Sequence, residues 1–145
     1  MKSILDLDDY KALEERIFKL TPDSKAKWGK MTVDQMLAHA AEVQEVKNGK
    51  PLENTPLIAR LLKRKIRKMV MSEAPYEKSV HTHPQYIVSD SQDFKEQKYR
   101  LLGAMKFMNE RNPQRKHPLF GTMTDEEKGW ACYKHINHHL DQFGV

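Results

Sequence analysis

The chain has 145 residues, 39% hydrophobic and 31% charged, with 25 basic and 20 acidic side chains for a formal charge of +5. That length suits one domain spanning residues 1–145, and the composition is not that of a disordered chain. No apolar run is long enough to cross a membrane, and the start MKSILDLDDY lacks a signal-peptide core; the single cysteine, Cys132, rules out an internal disulfide framework and suits a reducing, cytoplasmic setting.

The pattern predicts an all-α chain. Tyr10, Leu13, Ile17 and Leu20 recur at three- and four-residue spacing behind the acidic Asp6, Asp8 and Asp9, and Thr21-Pro22-Asp23-Ser24 ends this first helix. A second helix starts at Thr32. Thr32 and Gln35 are spaced as a capping box, Met31 and Met36 as a hydrophobic staple, and Asn48-Gly49 is the stop. Residues 57–71 read as one further helix, and residues 72–88, with Pro75 and Pro84, as loop or extended chain. Asp90 or Ser91 is the expected cap of a long helix that carries Phe94, Leu101, Leu102, Met105 and Met108 on one side and breaks at Asn112-Pro113. The last helix starts at Thr124, again with a T-x-x-E box to Glu127, and ends at Gly144. No strand pattern is present, and one extra short helix beyond four main ones is allowed for.

The chemistry concentrates on two of these helices. His135 and His139 lie four residues apart in the last helix, so they project from one side, and His39 stands alone in the second. Both helices open on the same G-x-M-T start, Gly29 to Thr32 and Gly121 to Thr124. On a helical wheel, Cys132, Ile136, His139, Leu140 and Phe143 share one arc, with His135 at its edge next to Gln142. His138 falls elsewhere, with Ala131, Lys134 and Asp141, on a face expected to be exposed. Taken alone, the residues leave two readings open: hydrogen-bonded core histidines, or a pair that shares one divalent ion with a third imidazole. Two buried imidazoles without partners would be costly, and a shared ion satisfies both.

The remaining candidates carry less. No general base is evident, so the catalytic residues are unknown. Glu42 is expected to splay away from His39, Gln142 to orient a ligand or substrate, and Cys132 to be a buried, inert thiol. His81 and His83 sit in a loop-like connector. His117, ahead of Pro118, is expected to close the mouth of the site or to cap a helix. Arg60, Lys63, Arg64, Lys65, Arg67 and Lys68 alternate with Leu57, Leu61, Leu62, Ile66 and Met69. This cationic segment reads as a solvated face or as an attractor of anions; few aromatics accompany the charges, which argues against nucleic acid as a partner.

Three stretches also carry a family resemblance: WGKMTVDQMLAH ending at His39, HPLFG from His117 to Gly121, and YKHINHHLDQFG from Tyr133 to Gly144. They resemble the signatures of a DinB-like family of unknown function within the DinB/YfiT-like superfamily of metalloenzymes, over most of the chain. The resemblance implies a four-helix bundle with a three-histidine site for zinc, nickel or a similar ion. His39 matches the first ligand of that pattern; His135 and His139 match the other two. Some members of the superfamily are thiol-dependent transferases or isomerases that use bacillithiol, mycothiol or glutathione. The expectation is therefore a metal-dependent enzyme acting on a small molecule, with a low-molecular-weight thiol as candidate cosubstrate. The alternatives are a metal-assisted hydrolase and a non-catalytic stress-response or binding module with a structural ion. A homodimer is left open.

Overall fold

Local capping chemistry sets most of the helix starts in the computed structural model of the chain, which describes residues 1–78 and 80–145. Helix α1 (Leu7–Lys19) begins where the Asp6 carboxylate accepts the amides of Asp8 and Asp9. Helix α2 (Val33–Asn48) has the reciprocal Thr32–Gln35 box at its start and Gly49 at its end, in the left-handed conformation that a glycine adopts without penalty. Two short helices follow, α3 (Leu57–Leu61) and α4 (Lys63–Met71), then a single 3-10 turn (Pro84–Tyr86). Helix α5 (Phe94–Arg111) ends on a left-handed Asn112, and α6 (Asp125–Phe143) opens on the Thr124–Glu127 box and closes on Gly144. Among the described residues the chain is all-helical: six α-helices and no strand, the one backbone bridge pairing His117 with Gly121. No helix among them is long and apolar enough to cross a membrane.

Two of the expected boundaries are corrected. The single helix predicted over 57–71 is broken at Leu62, whose ψ of 6° separates α3 from α4. Neither piece buries a residue fully, so no packed face holds the segment straight, and its cations crowd one another along the axis. The cap of α5 is Asp93 rather than Asp90 or Ser91. Its carboxylate accepts the Glu96 amide at 2.7 Å, whereas the Gln92 amide is taken by Asp34 of α2 at 2.7 Å, which keeps residues 90–92 out of the helix.

The core lies where α2 packs on α5 and α6, and α1 closes against α5 and α6. Leu13 and Ile17 of α1, Met36 and Leu37 of α2, Met105 of α5 and Ile136 of α6 are fully buried there. Polar clamps fix the registers. Arg16 reaches from α1 to Asn137 and Asp141 of α6, each at 2.6 Å, and also bonds the terminal Val145 carbonyl. Arg100 of α5 pairs with Glu42 and Glu45 of α2, both of which also hold Lys50. Glu42 thus points away from His39 into an ion-pair cluster.

Candidate metal centre

The α2–α6 contact brings three imidazoles together inside the core. His39 and His139 are buried, at 5% and 6% exposure, and His135 is half-buried. One nitrogen from each ring lies within 4.8 Å of the other two. The Nε2 atoms of His39 and His135 are 3.3 Å apart. Nitrogens at ~2.0–2.1 Å around a tetrahedral zinc are separated by about 3.3 Å, so that edge of the triangle already has the spacing of a ligand pair.

The partners on the far sides of the rings decide which nitrogen faces the cluster. His39 Nδ1 is 2.7 Å from the Tyr86 carbonyl oxygen, which can only accept, so Nδ1 carries the proton and Nε2 presents a lone pair. His139 Nδ1 is 2.9 Å from Gln142 Oε1, and the Gln142 amide nitrogen donates to the Trp28 carbonyl at 2.8 Å. That second bond orients the amide, so His139 is also protonated on Nδ1 and bare on Nε2. A hydrogen-bonded outer nitrogen that frees the inner one is the usual support for a metal-binding histidine. Gly29 makes the Gln142 arm feasible: its φ of +84° is left-handed, and a Cβ there would lie 2.5 Å from the Gln142 amide nitrogen.

Electrostatics keeps the rings neutral. Burial is the main cause in all three, pushing His139 down to about 3, His135 well below its ordinary value of 6.5, and His39 in the same direction. His39 lowers both His135 and His139, His139 lowers His135, and the Lys47 ammonium adds to the effect on all three. Neutral imidazoles are the form that coordinates a cation. Three histidines placed this closely, two buried and one half-buried, can therefore hold a metal ion.

The other sequence candidates fall in different places. Gln142 does orient a candidate ligand, but the ring it bonds is His139 and not the neighbouring His135, because its side chain is drawn to the Trp28 carbonyl. His138 is half-buried rather than exposed. The rings of Trp28 and Tyr76 cover it edge-on, at centroid distances of 6.0 and 5.5 Å. Ala131 and Lys134 on the same face are buried too, since Lys134 Nζ caps the end of α4 by donating to the carbonyls of Met69 and Ser72. His117 accepts the amides of Leu119 and Phe120 on Nδ1 and stacks on the Phe120 ring, so it shapes the HPLFG turn. Burial moves it down to about 4. His83 caps the 3-10 turn through Nδ1 and contacts Thr55; His81 is exposed. Cys132 is a free, buried thiol. Two contributors escaped the sequence reading, the carbonyls of Trp28 and Tyr86. Trp28 stands in the WGKMT stretch, but nothing local marks Tyr86.

The family described as "Protein of unknown function (DUF1569)" covers residues 1–144, and the chain belongs to it. The chain matches no curated protein and no solved structure.

Proposed function

We propose that the chain is a metal-dependent enzyme of the DinB/YfiT-like superfamily, with α1, α2, α5 and α6 as its four-helix bundle and His39, His135 and His139 as ligands of a zinc or nickel ion. The observation that carries this reading is the pair of bare Nε2 atoms on His39 and His139, each set by a fixed acceptor on its outer side. All three ligands come from one chain, so the site needs no second copy.

His39, His135 and His139 would hold the ion through neutral nitrogens, and the ion would supply a lowered pKa to a bound thiol or water. The protein's part is to position and to exclude. The α2–α6 interface holds the imidazoles in the core, and Gln142 and the Tyr86 carbonyl fix the ring faces. The carboxylates nearest in sequence are committed elsewhere, Glu42 to Arg100 and Lys50, Asp141 to Arg16. Among the described residues neither of these carboxylates is free to act as a base, so thiol transfer, whose proton can pass to solvent, is favoured over hydrolysis. A small thiol gives its proton to solvent, its sulfur forms a bond to an electrophilic carbon, and the leaving group departs with the bond electrons. The buried Cys132 does not compete as nucleophile.

The test uses tag-free protein loaded with zinc or nickel, mixed with bacillithiol, mycothiol, glutathione or coenzyme A and a model alkylating electrophile. Turnover with one thiol, lost in His139→Ala, is the expected result. Failure of every thiol to bind at millimolar concentration overturns thiol transfer.

A further inference from the structure

One charged group beside the histidines has no role in that chemistry. Lys47 lies two turns beyond His39 on α2. A helical Cβ tilts toward the helix N-terminus, so the Lys47 stem leans back toward His39. Its Nζ donates to the Ala131 carbonyl at 2.9 Å, one turn before His135 on α6. Lys47 is the one group that presses down the pKa of His39, His117, His135 and His139 alike. Burial shifts the ammonium itself down, and the neighbouring Cys132 thiol acts in the opposite sense.

An ammonium has three donors, and the Ala131 carbonyl uses one. Among the described residues no carboxylate pairs with it. Glu42 and Glu45 turn to Lys50 and Arg100, and Asp141 turns to Arg16. Lys47 is half-buried, so its charge is only partly hydrated and has no carboxylate partner among the described residues, and a cation on the three neutral imidazoles would add to the local positive charge.

We propose that Lys47 is a binding residue for an anionic group of the substrate, a thiolate or carboxylate, held beside the His39–His135–His139 cluster. This rests on the metal reading above and narrows it: the substrate enters as an anion, and its charge is matched by the ion on one side and by Lys47 Nζ on the other. The two donors left on Nζ give that anion charge-assisted hydrogen bonds.

Cobalt-loaded full-length protein tests this with thiocyanate as the probe, its binding followed by visible absorption and cobalt content measured in parallel. Lys47→Met retains the volume of the stem. It is expected to hold as much cobalt as the unmodified chain and to bind thiocyanate about 10- to 100-fold more weakly, the worth of one charge-assisted hydrogen bond. Lys47→Arg, which keeps the charge, is expected to stay close to the unmodified affinity. If Lys47→Met does not fold, Lys47→Gln is read in the same way. Thiocyanate affinity that is indifferent to loss of the charge in the fully loaded protein overturns this proposal and leaves the metal site standing. An unmodified chain that takes up no cobalt overturns both.

Discussion

Two regions of the chain handle charge in opposite ways. At the α2–α6 interface, two buried imidazoles and one half-buried imidazole lie near the half-buried Lys47, and the outer nitrogens of His39 and His139 and the Lys47 ammonium meet specific partners, the Tyr86 carbonyl, Gln142 and the Ala131 carbonyl. In α3 and α4, by contrast, five of the six cations stay exposed, only Arg67 being half-buried, and they lie among aliphatics that are exposed as well, Leu57 at 72% and Leu61 at 71%. Among the described residues Arg67 is the one tied down, to Glu127 and the Phe120 carbonyl. The first region has ten buried residues on α2 alone; the second has none. A polar group in the core is retained at a cost that its partners must offset, whereas a surface cation costs little and specifies little. Chemistry is therefore to be sought at the first region, and tolerance to substitution at the second.

The sharpest way to break this contrast is to remove the ligands. His39→Ala, His135→Ala or His139→Ala should reduce bound zinc or nickel to background in tag-free metal analysis, while His138→Ala and Arg64→Ala should not. Equal loss from His138→Ala and His139→Ala would place the site on the wrong face of α6.

The packing difference comes next. Leu37→Ala, at a fully buried position of α2, should cost about 2–5 kcal/mol in denaturant unfolding, as for large-to-small changes in other cores. Loss of well under 1 kcal/mol would show a looser interface than the one described.

Acid should act on the histidine region and spare the cationic one. The folded-state pKa values of His39, His135 and His139 lie below 6.5, His139 at about 3. Above 6.5 both folded and unfolded rings are neutral and nothing is lost. As pH falls below 6.5 the unfolded chain takes up protons that the folded core refuses, so metal-free stability should decline progressively toward pH 3. Protons compete for the same nitrogens, and metal affinity should weaken below about pH 6. Thermal unfolding and metal content across pH 7.5 to 4.5 check both; a flat profile would argue that the rings are not buried as neutral species.

A smaller effect is expected from the outer support. Gln142→Ala leaves His139 in place and removes the acceptor that fixes its ring, so metal affinity should fall about 10- to 100-fold with stoichiometry intact. An unchanged dissociation constant in competition with a chelator would show that the Trp28–Gln142–His139 chain does not position the ligand. The smallest effect belongs to the second region: Leu61→Ser should leave unfolding free energy within about 0.5 kcal/mol of the parent, since an exposed side chain buries little. A larger loss would mean that α3 is covered by something in solution.

What the sequence settled by itself is local. The two boxes Thr32–Gln35 and Thr124–Glu127, the stop at Gly49 and the facing of His135 and His139 depend on groups within a turn or so of one another, and residue spacing is enough to place them. The alternation of Leu13 and Ile17, or of Leu101 and Met105, likewise marks the buried sides of α1 and α5. The tertiary structure decided everything that a distant segment supplies. Asp34 takes the Gln92 amide and moves the start of α5 to Asp93; Tyr76 and Trp28 cover His138; the Trp28 carbonyl turns Gln142 from His135 to His139. The partner of His39 is a backbone carbonyl 47 residues along the chain, in a turn that no side-chain pattern distinguishes. A carbonyl belongs to every residue alike, so its use as a fixed acceptor becomes visible only once the fold has brought it to the ring.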